Sequence, residues 1–241
     1  MKNMKRILLT MVAAMLLVVM SVAGTLAYLT SQSEQVNNTF TVGKVDITLD
    51  ETDVDLYGVK DGETRVLANE YKLIAGHTYT KDPQVHVLAG SEPSYVRIFV
   101  SINDLADLAA ACNVPEFWPH AFVSGWKNEI WEYKSYTGDA GARVYEFWYV
   151  EDRGYDNGEN SGAGIVDARN GQVNLPALFT SFTLPETATN EEILALEDLE
   201  IKVIAQAVQA DTLTMAEAFN GNPIAAPTFA PVPTPTAEPT T

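Results

Sequence analysis

Histidine, the side chain best suited to metal binding and to proton transfer near neutral pH, occurs three times, as His77, His86 and His120. A zinc-peptidase helix needs two histidines four residues apart with a glutamate between them, so that both rings face one ion. No such spacing occurs in this chain, and neither a serine nucleophile elbow nor a Gly-rich phosphate loop is present. Oxygen ligands are denser. Glu151-Asp152-Arg153-Gly154-Tyr155-Asp156-Asn157-Gly158-Glu159-Asn160 offers the carboxylates, amides and glycines that surround calcium, though not at EF-hand spacing. Asp50, Glu51, Asp53 and Asp55 form a second acidic cluster after the first expected strand. Both clusters read as solvated loops.

The four tryptophans, Trp118, Trp126, Trp131 and Trp148, all fall within residues 117–149, together with Phe117, Phe122, Tyr133, Tyr136, Tyr145, Phe147 and Tyr149. Aromatic faces on a sheet can stack on sugar rings, and they also build cores by cross-strand packing. Tyr145, Phe147 and Tyr149 share one parity while Val144, Trp148 and Val150 share the other, so at least one face of that strand is expected to be core. Trp126, Trp131 and Trp148 are the residues of the alternative, a ligand platform. No catalytic residue, metal or cofactor is expected.

The chain has 241 residues, a net charge of −17 and one cysteine. A single cysteine excludes an intramolecular disulfide and multi-cysteine zinc or iron–sulfur sites. The strong negative charge argues against nucleic acid and anionic membrane surfaces as partners, since both would repel it. A hydrophobic content of 46% is enough for a packed core.

The first residues read as an export signal. Lys2, Lys5 and Arg6 precede an uncharged apolar run from Ile7 to about Ala23, and Thr25-Leu26-Ala27 offers the small-x-small site at which a signal peptidase cuts. The alternative is a retained anchor, because the run approaches the roughly 20 apolar residues that span a bilayer. The expected organisation is a signal peptide over 1–27, a secreted β-sandwich domain over 28–222 and a disordered Pro/Thr-rich tail over 223–241. In an exported protein Cys112 reads as a small buried hydrophobe.

Gly24-Thr25-Leu26-Ala27-Tyr28-Leu29-Thr30, followed by Asn37-Asn38-Thr39-Phe40-Thr41-Val42-Gly43-Lys44-Val45-Asp46-Ile47, resembles the start of the TasA/camelysin family of Gram-positive exported proteins. Ala75-Gly76-His77-Thr78-Tyr79-Thr80-Lys81-Asp82-Pro83 and Ser94-Tyr95-Val96-Arg97-Ile98 resemble that family's turn and the strand after it, and Ile201–Asp211 resembles its last strand. Residues 103–198 match no pattern of the family. The resemblance implies cleavage between Ala27 and Tyr28 by the dedicated signal peptidase SipW, and a jelly-roll form of sandwich. It also implies a secreted or cell-surface structural protein of the biofilm matrix, non-catalytic, whose partners are itself, as a homo-oligomer or fibre, a minor matrix partner, and the signal peptidase during export. No nucleic acid, and no membrane after cleavage, is expected. Camelysin is associated with a metallopeptidase activity, which the scattered histidines do not support. In the fibre reading, Tyr28–Phe40 adds as a strand to a neighbour's open sheet edge, with Val36, Phe40 and Val42 filling pockets. The alternative function is an extracellular binding module for a glycan or surface ligand using residues 117–149.

The elements expected to position these residues are mainly antiparallel strands with a few short helices. Val45, Ile47 and Leu49 alternate with polar neighbours, and Phe40 and Val42 lie on the other parity, which predicts a bulge or bend at Gly43. Ser94–Ile102 is apolar on nearly both parities, as a central strand covered on both faces would be. Glu129–Tyr136 and Arg143–Val150 read as a hairpin, and Leu199–Val208 as another strand. Asn103 is placed to cap a helix carrying Leu105, Leu108, Ala109 and Cys112. Thr189–Glu192 and Thr214–Glu217 fit capping boxes. Leu184-Pro185-Glu186-Thr187-Ala188 looks like a sortase signal, yet its place before the first of those boxes reads as a loop entering a helix.

Ala27→Phe is expected to block processing, because the peptidase pocket takes small side chains. Mass spectrometry of secreted wild-type protein should find Tyr28 at the N-terminus; an intact Met1 on a membrane-bound form would favour the anchor.

Overall fold

The structure, a computed structural model, describes residues 43–114, 122–139, 141–156, 162–210 and 213–220. The signal, the segment Tyr28–Val42, residues 117–121 of the aromatic segment, His120 and the Pro/Thr-rich tail lie outside the described residues. The compact unit starts at Gly43. It is mainly β, every strand pair is antiparallel, and the helices are few and short, as the sequence patterns predict.

Four strands, in the order β10 (Val173–Asn174), β4 (Gln84–Val87), β1 (Ile47–Val54) and β2 (Lys60–Val66), make one sheet. The larger sheet runs β12 (Ile201–Gln209), β5 (Ser91–Asn103), β8 (Ala142–Tyr149) and β7 (Trp131–Gly138), with β9 (Ile165–Ala168) also on β5. A small three-stranded sheet, β3 (Thr78–Thr80), β11 (Ser181–Thr183) and β6 (Val123–Ser124), closes one side. One core joins them: Val85 and Val87 of β4 pack with Val96, Ile98, Val100 and Ile102 of β5 and with Tyr145, Phe147 and Tyr149 of β8.

β5 explains its own unusual pattern. Its even-numbered apolar residues enter that core, while Tyr95 on the other face joins Trp148, Ile165, Ala218 and Phe219 in a second cluster. Helix α3 (Met215–Asn220) supplies the lid. Arg97, 4% exposed, is held on that same face between the rings of Phe99 and Phe219, at 4.8 and 4.9 Å, and donates to Gln206 Oε1 and Glu146 Oε1. A buried guanidinium is tolerable only with such partners.

The helices show where local chemistry decides. Helix α2 (Asn190–Leu194) starts on a complete capping box between Thr189 and Glu192, and α3 starts on the same reciprocal pair between Thr214 and Glu217. Helix α1 (Leu105–Cys112) differs from expectation. Asn103 does not cap it; its amide is taken by the backbone of Asp198 and Glu200, at 2.7 and 2.6 Å. Asp104 is the N-cap instead, in the left-handed region at φ 47 and without a side-chain cap. Leu184 is fully buried and donates its N–H to the His77 carbonyl at 3.1 Å, and Pro185–Ala188 turns into α2, so the sortase-like stretch is a structural loop. Burial pushes the Cys112 thiol up to about 11, which keeps it protonated and unreactive at neutral pH.

Among its described residues, the aromatic segment builds core and does not present an exposed row of tryptophans. Trp131 is 1% exposed and Trp148 8% exposed, Trp126 is half-buried, and they lie in two different clusters. Trp131 meets Tyr149 edge-on at 5.1 Å and donates its indole N–H to the Pro176 carbonyl, while Trp126 donates to the Trp131 carbonyl. The reason is the parity of β8, which sends Tyr145, Phe147 and Tyr149 inward and Trp148 outward under α3.

Trp131→Ala is expected to cost about 3–5 kcal/mol, as large-to-small changes of buried aromatics do. Urea unfolding followed by circular dichroism measures it, and a loss under about 1 kcal/mol would return this side chain to a surface role.

Candidate functional site

Alternation along β1 sends Asp50 and Glu51 to opposite faces. Asp50, Glu51 and Asp53 of the acidic cluster expected as a solvated loop are therefore part of the strand, Asp55 lies in the exposed turn after it, and the members do separate work. Glu51 turns inward, 5% exposed, and meets Lys81, 7% exposed, at 2.7 Å. Asn69, in the segment after β2, completes the group. Its Nδ2 donates to Glu51 Oε1 at 3.1 Å and to the Thr52 carbonyl at 2.8 Å, and its Oδ1 accepts from the Val54 N–H at 3.1 Å. The Lys81 ammonium also sits 5.9 Å from the centre of the Tyr71 ring. Burial, reinforced by the Glu51 charge, raises the Tyr71 hydroxyl far above its ordinary range, and that hydroxyl donates to the Thr80 carbonyl at 3.0 Å. Buried charges cost several kcal/mol unless paired, so each member of this group requires the others.

Asp50 organises the other face. It bonds Arg65 Nε, and His86 Nε2 lies 2.9 Å from its carboxylate, with His86 Nδ1 2.7 Å from Asn174 Oδ1. Arg65 Nη1 continues to Asp82 at 3.0 Å, and Asp82 accepts from the Thr52 N–H and hydroxyl at 2.6 and 2.8 Å. Lys81 and Asp82 thus clamp β1 from its two sides, and Arg65 ties in β2. His77 lies apart, its Nε2 2.7 Å from the Tyr57 carbonyl. The two described histidines do not converge, and among the described residues no three His, Cys, Asp or Glu side chains are grouped to hold a metal ion. In the second acidic stretch, Glu151 accepts from Tyr149 and Arg153, and Asp152 accepts from the Gly154 N–H; residues 157–161 lie outside the described residues.

Beside this network, β1 in part and β12 along its length have an edge without a partner strand among those described. β1 bonds β4 over Ile47–Asp50, and its pairing with β2 begins only at Glu51. β12 bonds β5 along nine residue pairs, and among the described strands none pairs with its other edge. Ile201–Val208 are all half-buried. A cavity of about 190 Å³ separates Leu49, Asp50 and Glu51 of β1 from Ile201, Lys202 and Val203 of β12. A second cavity, of about 630 Å³, shares Asn69, Lys81 and Ile201 with the first and extends past Tyr71, Leu73 and Phe182 to Ile193, Leu196 and Leu199. The outermost strand of the other sheet, β2, is charged at Lys60, Asp61, Glu63 and Arg65, a pattern that blunts strand addition. β12 carries one charge, Lys202.

Of the residues singled out in the sequence, Ala27, Tyr28, Val36, Phe40 and Val42 lie outside the described residues, so the cleavage site and the assembly strand are not placed. Trp131 and Trp148 are placed in cores and Trp126, half-buried, packs against the first of them. Pattern reading missed Glu51, Asn69 and Lys81 as a unit. Lys81-Asp82-Pro83 was noticed as a family turn, but Asn69 belongs to no periodic segment and carries no signal.

The Asp50 carboxyl is held below its ordinary range: desolvation works against this, and the hydrogen bonds from Arg65 and His86, with their charges, outweigh it. A carboxyl depressed on folding adds stability above its unfolded pKa and loses it as pH falls through its folded value. Stability should therefore decline as pH falls below about 4. Asp50→Asn should be less stable at neutral pH and show a shallower acid limb; an unchanged limb in thermal melts across that range would remove Asp50 from the network.

No helix among the described residues is long and apolar enough to cross a membrane. No curated protein and no solved structure matches the chain. A family model described as camelysin metallo-endopeptidase does match, over residues 2–80, a stretch that includes β1, β2 and β3. Over that first third the likeness to the TasA/camelysin family, a likeness that fits a cell-surface or extracellular protein, is shown.

Proposed function

We propose that this is a secreted, non-catalytic structural protein of the cell surface or biofilm matrix that assembles through its N-terminal segment. The single observation that carries the reading is the open edge of β12, whose Ile201 and Val203 share a slot with Leu49 of β1 and with the charged side chains of Asp50, Glu51 and Lys202. An added strand there satisfies the row of backbone donors and acceptors that β12 leaves without a partner strand among those described. Signal cleavage frees Tyr28–Phe40, and alternation then turns Val36, Phe40 and Val42 toward Leu49, Ile201 and Val203. Pairing of one copy's leading segment with the next copy's slot is head-to-tail and does not close on itself, so its product is a filament.

The family description names a metallo-endopeptidase, but this chain's own residues favour a structural role. His86 is engaged by Asp50 and Asn174, and His77 by Tyr57 on a different part of the surface. The binding-module reading rests on aromatic exposure, and the burial of Trp131 and Trp148 weighs against it.

Electron microscopy of protein beginning at Tyr28 should show filaments, and protein beginning at Val45 should not. Phe40→Asp removes an aromatic worth on the order of 1.5–3 kcal/mol of burial and places a further carboxylate in a slot that already holds Asp50 and Glu51. It should abolish filaments while circular dichroism reports a folded monomer. Persistent monomers of the Tyr28-starting protein at high concentration would sink the assembly reading, and an unfolded Phe40→Asp monomer would make Phe40 ordinary core.

A further inference from the structure

Glu51, Asn69 and Lys81 form an arrangement that ordinary ion pairing does not require. One carboxylate holds two different nitrogens: Lys81 Nζ on Oε2 at 2.7 Å, and the amide Nδ2 of Asn69 on Oε1 at 3.1 Å. The first is an amine, a nucleophile once neutral. The second is the leaving group of a carboxamide. The Asn69 carbonyl oxygen accepts the Val54 N–H at 3.1 Å, which polarises the carbon between them. Lys81 and Glu51 are 7% and 5% exposed, so the amine has little competing water and its charged form little solvation. Both cavities beside β12 are lined by Asn69 and Lys81, which gives a small leaving group a way out.

We propose that Lys81 and Asn69 join in an intramolecular isopeptide bond, with Glu51 as the proton relay. The Lys81 ammonium passes a proton to Glu51 Oε2, and the neutral amine attacks Cγ of Asn69. The carbonyl electron pair moves onto Oδ1, where the Val54 N–H stabilises it as an oxyanion-hole donor does. Glu51 delivers the proton to Nδ2, the Cγ–Nδ2 bond breaks, and the carbonyl re-forms. The new amide nitrogen sheds its remaining extra proton through Glu51 to the departing ammonia. An ammonium and a carboxamide become a secondary amide and an ammonium ion, with Glu51 returned as carboxylate. No oxidant, metal or cofactor enters the balance. The bond ties the segment after β2 to the residue before Asp82, closing the loop that carries the Gly76 turn. This inference stands apart from the assembly reading, since it concerns one copy of the chain.

The test uses the secreted full chain, with its N-terminus read from its own peptides. Intact-mass spectrometry should give one ammonia less than the sequence mass. Trypsin digestion after denaturation should yield a branched peptide joining Val66–Lys72 to Leu73–Arg97, uncut at Lys81. Glu51→Gln, checked for folding by circular dichroism, should show the unlinked mass and a free Lys81; Lys81→Arg should do the same. Wild-type protein at full sequence mass, with separate peptides ending at Lys72 and Lys81, overturns the proposal. So does loss of ammonia confined to a linear Val66–Lys72 peptide, which is ring closure at Asn69 alone. A cross-link that survives Glu51→Gln removes Glu51 as the relay.

Discussion

The buried pairing of Glu51 with Lys81 is the constraint on which the neighbouring geometry depends. A carboxylate and an ammonium both removed from water are tolerable only at contact and with their remaining hydrogen-bonding capacity filled. That requirement fixes the depth of β1, the path of the segment through Asn69, and the position of the residue after β3. Lys81 then determines where Asp82 falls, on the opposite side of β1, within reach of Thr52 and Arg65. Arg65 in turn brings β2 against Asp50. Replacing one member leaves another charge buried without its partner, which costs more than the pair itself contributes. The motif Lys81-Asp82-Pro83 is best understood as a clamp on β1, with Pro83 ending the clamp where β4 begins.

The clamp also bears on the open edges. β1 is held from both faces and on its β4 side, yet over Ile47–Asp50 its other edge carries no partner strand among those described. Rigid, in-register backbone is what an incoming strand needs, because the entropy of ordering the acceptor has already been spent in folding. β12 is rigid for a different reason. Nine consecutive pairs bind it to β5, whose two faces are covered by the main core and by α3. A charged edge such as β2 resists strand addition, whereas β12 with its run of Val, Ile and Ala does not. The difference between the edges is therefore written in side-chain chemistry as much as in topology.

Much of this frame was legible in the sequence where a periodic signal existed. Period-two alternation located β1, the two-sided apolar run located β5, and the Thr-x-x-Glu boxes located α2 and α3. The β7–β8 hairpin followed from aromatic runs around a Gly-rich turn. Other features left no such trace. β2, with the sequence KDGETRV, has no apolar face to alternate, and β6, β10 and β11 are too short for a period to register. Asn103 looked like a cap because caps are recognised by residue type, but its amide is used by the chain at Asp198 and Glu200, a contact no local pattern reports. Asp50 and Glu51 looked solvated because charge predicts exposure. Their partners lie at positions 65, 69, 81 and 86, and only the fold brings those together.

The same limit explains why Asn69 escaped notice and why it matters. A lone asparagine after a charged strand reads as a turn residue. Here its side chain is fully committed: Nδ2 serves Glu51 and the Thr52 carbonyl, and Oδ1 serves Val54. A purely structural amide in that position only bridges backbone and carboxylate. Here the amide nitrogen shares a carboxylate with a buried lysine, and the burial of Glu51 and Lys81 strengthens both polar contacts. The burial that makes the Glu51–Lys81 pair costly is thus the same condition that would let it do chemistry, so stability and reactivity at this site have one physical origin.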